Sequence, residues 1–180
     1  MTAPIEFFHC CPKCGQPVRR AASNAIQCAA CGFLYYFNPV VAVGALVMDG
    51  EGRMLWIRRA KEPGKGKLGL PGGFADVGET AEDALRREVR EEVNLELDSL
   101  EFLCTCANRY VYGGVTYPVL DVFYTARPRA GESAAALEDV ESFCWLKPQE
   151  VPLNEIAFLS VKTALDCWLR RAGLDARHGA

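Results

Sequence analysis

Residues 72–95 read GGFADVGETAEDALRREVREEVNL, and this stretch decides how the rest of the chain is interpreted. It begins as a glycine turn at Gly72 and Gly73, where a backbone without side chains can approach a ligand closely. The composition after Thr80 favours a helix, and Thr80 itself is a good N-cap. Asn94 can end the helix, because asparagine tolerates the left-handed conformation common at a helix C-terminus. The pattern therefore predicts a turn followed by a helix from Thr80 to Asn94.

Successive residues of a helix are 100° apart, and this spacing gives the predicted helix two faces of different chemistry. The apolar face, which we expect to be buried, consists of Leu85, Val89 and Val93. The acidic face, roughly a quarter-turn away, consists of Glu88, Glu91 and Glu92. Like charges at this spacing repel, and a hard divalent cation such as Mg²⁺ or Mn²⁺ would cancel the repulsion. The alternative interpretation is a solvated face on which the glutamates pair with neighbouring arginines.

The stretch resembles the Nudix box, G-x5-E-x7-R-E-U-x-E-E-x-G-U, in which U is an aliphatic residue. The matching positions are Gly73, Glu79, Arg87, Glu88, Val89, Glu91, Glu92 and Leu95. One defined position departs, since Asn94 stands where the family has glycine. The box is long and specific, and the resemblance to Nudix hydrolases extends over roughly residues 38 to 170.

The resemblance implies a divalent-metal site that uses Mg²⁺ or Mn²⁺. The implied metal ligands are the carboxylates of Glu88, Glu91 and Glu92 and the carbonyl of Gly72. By the same resemblance, Arg87 and Glu79 form a pair that orients the helix carboxylates. The general base is left open between Glu88 in the box and a residue of a later loop. The loop candidates are Glu138, Asp139 and Glu141.

The implied activity is hydrolysis of the pyrophosphate bond in a nucleoside diphosphate linked to another moiety. A four-cysteine segment ahead of a Nudix domain resembles NADH and FAD pyrophosphatases. The S-Q-P-W motif that NADH-specific members carry after the box is absent from residues 102–110. Its absence argues against specificity for NADH alone, so ADP-ribose, FAD or another dinucleotide stay open as substrates beside NADH. Two alternative functions also stay open: a hydrolase of RNA 5′ ends and a non-catalytic nucleotide-binding module.

Nine cysteines occur in the chain, and four of them form two C-x2-C-G knuckles. These four are Cys11, Cys14, Cys28 and Cys31, which predict a closed tetrahedral zinc site. Cys10 is an alternative to Cys11, and unmetallated thiols are the alternative to zinc. We expect residues 1–37 to form a zinc ribbon and residues 38–180 a Nudix domain.

The composition limits the partners of the chain. It has 180 residues, of which 50% are hydrophobic and 24% are charged, with a formal net charge of −3. This charge gives no general footprint for nucleic acid, so we expect a small-molecule partner. No apolar run is long enough to span a membrane, and the first residues do not resemble a signal peptide. We therefore expect a cytoplasmic protein, and homodimers are common in the resembling family.

The remaining periodicity predicts either an α/β or an α+β fold. The resemblance specifies an α/β/α sandwich with a mixed sheet, preceded by the zinc ribbon. The predicted elements outside the box are a hairpin of strands 40–48 and 53–59, strands 100–107, 116–126 and 143–146, and a helix over 152–171 that ends at Gly173.

Overall fold

The computed structural model describes residues 2–174. Within them the strands are β1 (Val18–Ala22), β2 (Ala25–Cys28), β3 (Leu34–Tyr36), β4 (Val40–Val47), β5 (Met54–Arg59), β6 (Leu68–Gly69), β7 (Leu97–Tyr112), β8 (Val115–Pro128) and β9 (Val140–Leu146). The α-helices are α1 (Ala81–Val93) and α2 (Leu159–Arg171). No described helix is both long enough and apolar enough to cross a lipid bilayer.

The described chain divides into two compact units. The first, here called the cysteine unit, contains the chain up to Val40 together with Arg109–Val119. The second, here called the core unit, contains Val41–Asn108 together with the described residues from Leu120 onward. The expected domain boundary after residue 37 stays a prediction.

The cysteine unit is built on a three-stranded antiparallel sheet in the order β1-β2-β3. Among its described residues, the buried apolar side chains are Ile5, Ala25, Ile26 and Val119, beside the cysteines Cys11 and Cys28. So small an apolar core supplies little folding free energy, and small domains of this kind usually depend on a metal or on disulfides.

The core unit has a middle layer of strands between two helices. One sheet has the order β4-β8-β7 and the other has the order β6-β5-β9. Alternate residues of the strands enter different clusters, because successive side chains point to opposite faces. Val47 and Leu55 pack in a cluster with α1, whereas Leu46 and Trp56 pack in a cluster with α2. The fold is therefore the predicted α/β/α sandwich.

The predicted hairpin of strands 40–48 and 53–59 was wrong in its pairing. Both strands exist and a turn joins them, but only Met48 and Met54 form a bridge between the two segments. β4 instead pairs with β8, and β5 pairs with β6 and β9. Both strands are buried on two faces, so their apolar patterns favour interior strands without specifying their neighbours.

Other element boundaries also differ from the prediction. α2 begins at Leu159 rather than at residue 152, because the preceding chain forms 3₁₀ turns and Ala157 donates its N–H to the Leu68 carbonyl. β7 and β8 are longer than predicted and leave only Gly113 and Gly114 between them. Both glycines have positive φ, as a two-residue hairpin turn requires.

Candidate functional site

The glycine turn is held against strand β4 by backbone hydrogen bonds. Ala45 donates its N–H to the Pro71 carbonyl at 3.0 Å, and Val43 donates to the Gly73 carbonyl at 2.8 Å. A Cβ atom on Gly72 would lie 2.1 Å from the Val43 carbonyl oxygen, which no real side chain permits. The close approach of the two backbones therefore requires glycine at this position.

Helix α1 has the caps and the buried face that its sequence predicts. The Thr80 hydroxyl accepts the Asp83 N–H at 3.1 Å, and Asn94 ends the helix in the left-handed conformation. The fully buried side chains on the apolar face include Leu85, Val89 and Val93. Because the turn and the helix are fixed independently, the acidic face of α1 has a defined position relative to Gly72 and Gly73.

Glu92 lies against the glycine turn. Its carboxylate accepts the Gly72 N–H at 2.8 Å. Burial raises the pKa of Glu92 to about 8, although the Gly72 hydrogen bond acts in the opposite direction. The negative charges of Glu88 and Asp139 also raise this pKa, while the charge of Arg59 lowers it. Burial therefore favours the protonated form of Glu92, and a cation bound nearby would stabilise the ionised form.

Glu88 lies directly over Gly73. A Cβ atom on Gly73 would come within 2.4 Å of the Glu88 carboxylate, so glycine leaves the space that this side chain occupies. Burial raises the pKa of Glu88, and the hydrogen bond from Arg87 opposes that shift. The sequence identified Gly73 as the first residue of the box but did not predict that it makes room for a carboxylate.

Arg87 connects four acceptors around the site. It makes a two-pronged ion pair with Glu79 at 2.8 and 2.9 Å and donates to Glu88 at 2.8 Å. It also donates to Glu91 at 3.2 Å and to the Phe74 carbonyl at 3.1 Å, a contact that the sequence did not predict. The Arg87 hydrogen bonds lower the pKa of Glu79 to about 2, and those of Glu79 and Glu88 raise the pKa of Arg87.

The three helix glutamates have different partners and different environments. Glu92 contacts Gly72, Glu88 covers Gly73, and the Glu91 side chain is 53% exposed. Among the loop candidates for a general base, Asp139 pairs with Lys61 and its charge acts on Glu92. All three loop candidates, Glu138, Asp139 and Glu141, are exposed.

The four knuckle cysteines form a second site. Within residues 2–174 they are the one close group of three or more cysteine, histidine or acidic ligands, and their Sγ atoms all lie within 4.8 Å of one another. The Sγ atoms of Cys11 and Cys31 are 3.7 Å apart, and those of Cys14 and Cys28 are 3.6 Å apart. A tetrahedral zinc–thiolate site has sulfur–sulfur edges of about 3.8 Å. The arrangement is therefore compatible with zinc.

The two knuckles have the same backbone hydrogen bonds. In the first, Cys11 donates to the Gln16 carbonyl and Gly15 donates to the Cys11 carbonyl. In the second, Cys28 donates to the residue five positions later and Gly32 donates to the Cys28 carbonyl. Cys10 is exposed and lies outside the thiol group. The equivalence of the two turns explains why Cys11 rather than Cys10 joins the other thiols.

Comparisons with known proteins identify the family. The NUDIX domain profile matches residues 38–165. The chain belongs to the NUDIX family. A crystal structure of a NUDIX hydrolase from Nitrosomonas europaea superposes with a TM-score of 0.73 and 26% sequence identity, covering 95% of this chain and 97% of that one.

Two curated NUDIX relatives carry functional names. The chain is 31% identical over 142 residues to "NAD(P)H pyrophosphatase NUDT13, mitochondrial" of Homo sapiens, which covers 78% of this chain and 39% of the relative. It is 26% identical over 169 residues to "NAD-capped RNA hydrolase NudC" of Pseudomonas putida strain W619, which covers 91% of this chain and 57% of the relative. The chain thus spans only part of the length of both relatives.

Proposed function

We propose that this chain is a divalent-metal-dependent hydrolase that cleaves the pyrophosphate bond of a nucleoside diphosphate linked to another moiety. The proposal rests on the position of two partly buried carboxylates of helix α1. Glu92 lies against Gly72, and Glu88 lies against Gly73, the next residue of the glycine turn. Burying carboxylates is costly, and a divalent cation held by Glu88 and Glu92 would offset that cost. Membership of the NUDIX family supports the same interpretation.

The carboxylates fit a hard divalent cation by their chemistry, although among residues 2–174 their oxygens do not form one close group as the thiols do. Glu88, Glu91 and Glu92 supply oxygen donors of the kind that Mg²⁺ and Mn²⁺ prefer, and the Gly72 carbonyl is the proposed fourth ligand. When bound, the cation would neutralise phosphate charge and lower the pKa of a coordinated water.

The chain's own groups then have distinct roles. Arg87, fixed by Glu79, holds Glu88 and Glu91 in place by charged hydrogen bonds. One carboxylate accepts a proton from the attacking water, with Glu88 as the candidate in the box and Asp139 as the loop candidate whose charge acts on Glu92. Attack on one phosphorus breaks the bond to the bridging oxygen and yields two phosphorylated halves.

We propose nucleoside diphosphate derivatives as the substrate class, with the dinucleotides NADH and FAD and the sugar derivative ADP-ribose as the members to test first. A relative named as an NAD(P)H pyrophosphatase supports a nicotinamide dinucleotide. We also propose that the four-cysteine group of the cysteine unit holds a structural zinc ion, because its sulfur separations match a zinc–thiolate tetrahedron.

The test is a panel of NADH, NAD⁺, ADP-ribose, FAD and nucleoside triphosphates, each incubated with the zinc-loaded protein and either Mg²⁺ or Mn²⁺. Chromatography of the products should give AMP and the partner phosphate from at least one dinucleotide. The Glu88→Gln variant should lose this activity, whereas Glu150→Gln, an exposed glutamate outside the box, should retain it. Binding without product across the whole panel would contradict the proposal and favour a nucleotide-binding module.

A second candidate function is hydrolysis at the capped 5′ end of RNA. The relative named as an NAD-capped RNA hydrolase, whose match covers 91% of this chain, favours it. Comparison of kcat/KM on an NAD-capped RNA and on free NAD⁺ separates the two candidates. A much higher value on the RNA would favour the second.

A further inference from the structure

We propose that the cysteine unit carries a binding surface for single-stranded nucleic acid, made of an aromatic row and an adjoining basic groove. This surface shares no residue with the glutamate site, and the proposal does not depend on hydrolysis. It rests on the charge of the unit, on a chain of aromatic contacts and on a groove that is lined within the unit.

The charge of the chain is distributed unevenly between the two units. The cysteine unit has four basic residues, Lys13, Arg19, Arg20 and Arg109, and one acidic residue, Glu6. Its formal net charge is therefore +3, although the whole chain carries −3. The overall charge concealed a local positive charge of the kind that attracts a polyanion.

Four aromatic rings follow one another along the cysteine unit. Phe33 stacks on Tyr35 at 6.3 Å between ring centroids, Tyr35 meets Phe37 edge-on at 5.0 Å, and Phe37 meets Phe8 at 4.9 Å. The Tyr35 residue is 47% exposed and Phe8 is 39% exposed. Exposed aromatic rings are the platforms on which the bases of single-stranded nucleic acids stack.

A groove of about 300 Å³ adjoins this aromatic row and shares Phe8 with it. The lining residues that carry polar or charged groups are Glu6, His9, Arg19 and Arg20. In the sheet register, Arg20 pairs with Ile26 and Ile26 pairs with Tyr35, so the three side chains lie on one face. Arg20 and Tyr35 are separated by two strand spacings, or about 10 Å. One nucleotide can span this distance with its base on Tyr35 and its phosphate at Arg20.

Charge and stacking together favour nucleic acid over another protein as the occupant. Aromatic rings and arginines also occur together in protein interfaces, but a formal net charge of +3 on so small a unit attracts a polyanion in particular. Arg19 pairs with Gln27 and donates an N–H to it at 2.8 Å, so Arg20 is the arginine that shares a face with Tyr35 and can meet a phosphate there. Glu6, which also accepts the Ala3 N–H at 3.3 Å, is the one groove residue that opposes an anion.

The test uses the full zinc-loaded chain and a fluorescein-labelled single-stranded RNA 12-mer with a 5′-hydroxyl, without added Mg²⁺. Such an RNA has no pyrophosphate, so its binding and the hydrolase activity can fail independently. Fluorescence anisotropy should give saturable binding that weakens with salt. Absence of binding at low salt would overturn the proposal.

Three variants sharpen the test. Arg20→Gln should weaken binding severalfold and reduce the slope of log K against log salt by about 0.7, the value for one phosphate contact on a single strand. Tyr35→Leu should weaken binding about fivefold or more without changing that slope, because it removes stacking and keeps an apolar side chain. Glu6→Gln should strengthen binding, since it removes the opposing charge.

The matched control is Arg170→Gln, which removes the same charge from an exposed position of the core unit. Equal effects of Arg20→Gln and Arg170→Gln would show only non-specific attraction and would overturn the proposal. Zinc content should stay at one per chain in every variant, which checks the fold of the unit. If Tyr35→Leu converts a dimer into a monomer in light scattering without weakening RNA binding, the surface is a self-interface and the proposal is wrong.

Discussion

The cysteine site and the glutamate site bring their side chains together by different means. In the cysteine site, each pair of thiols belongs to one tight turn, and the two turns repeat the same backbone hydrogen bonds. In the glutamate site, the carboxylates are neighbours on one helix, but Glu92 is held by Gly72, and Arg87, which holds Glu88 and Glu91, is held by Phe74 and Glu79 from earlier in the chain. The thiols are therefore positioned by local backbone geometry, whereas the carboxylates are positioned by tertiary contacts.

This difference has a consequence for how each site responds to substitution. Loss of one thiol would remove a quarter of the proposed zinc ligand set, and we expect the small cysteine unit to lose stability with the metal. Loss of one carboxylate leaves the packing of α1 intact, because the buried face of the helix consists of other residues. We therefore expect damage to the cysteine site to affect structure and damage to the glutamate site to affect turnover.

The largest effect should come from Glu92→Gln. The variant removes a charge and keeps the volume, and its amide oxygen can still accept the Gly72 N–H. We expect kcat to fall by at least about 100-fold, more than the cost usually measured for residues outside the ligand set. The thermal midpoint should not fall, since a neutral amide is cheaper to bury than a carboxylate. Turnover assays and thermal unfolding check both parts, and Mg²⁺-dependent rates near those of Glu150→Gln would contradict the role of Glu92.

The second-largest effect should be the loss of zinc from the Cys14→Ser variant. Serine oxygen is a poor substitute for thiolate, so zinc content measured by mass spectrometry should fall at least about tenfold. Cys10→Ser is the matched control, because it makes the same change one residue from the knuckle and should retain zinc. Full zinc content in Cys14→Ser would show that these four thiols are not the ligands.

Glu79→Gln should have a moderate effect, since Glu79 acts through Arg87. Without the two-pronged ion pair, Arg87 is free to turn away from Glu88 and Glu91. Partners that orient metal ligands usually contribute about 10- to 100-fold, so we expect a loss near the lower end in kcat, together with weaker Mg²⁺ activation. Unchanged activation by Mg²⁺ would show that Arg87 is held by its other contacts alone.

The same ion pair predicts a pH dependence of stability. Arg87 lowers the pKa of Glu79 from an ordinary 4.5 to about 2, so the folded state favours the ionised carboxylate. Its stabilising effect is therefore fully present above about pH 4.5 and is lost as the pH falls toward 2. The difference in urea midpoint between wild type and Glu79→Gln should be constant from pH 7 to 5 and shrink at pH 4 and 3. A difference that grows on acidification would contradict the assignment.

The sequence predicted the parts of the molecule that local rules control. The Thr80 and Asn94 caps and the buried face of α1 were confirmed because capping chemistry and helical periodicity depend on near neighbours. The pairing of β4 with β8 was missed because a strand buried on both faces has no alternating pattern to identify its partner. The early start predicted for α2 failed because Ala157 bonds to Leu68, a contact that lies far away in sequence.

The same distinction between local rules and long-range contacts applies to the candidate sites. The cysteine spacing was sufficient to predict the thiol group, since each knuckle closes on itself. The box identified the acidic residues of α1 and the Arg87–Glu79 pair through a family resemblance rather than through local rules. Neither source predicted that Gly73 makes room for Glu88, because that fit depends on how the turn is held against β4.

The smallest effect concerns Asn94, which departs from the family box. Its φ of 54° and ψ of 40° are left-handed, and its N–H closes the helix on the Arg90 carbonyl. Alanine lacks the tolerance of asparagine for this conformation, so Asn94→Ala should lower the free energy of unfolding by about 1 kcal/mol. Asn94→Gly restores the family residue. Glycine relieves the backbone strain in the folded state but gives the unfolded chain more conformational freedom, so we expect the free energy of unfolding to change by no more than about 0.5 kcal/mol. Chemical denaturation of both variants checks this order. If the Asn94→Ala variant were as stable as Asn94→Gly, packing in the core rather than the local backbone conformation would fix the end of α1. The end of the helix would then depend on tertiary contacts, as the glutamate site does, and not on local geometry, as the cysteine knuckles do.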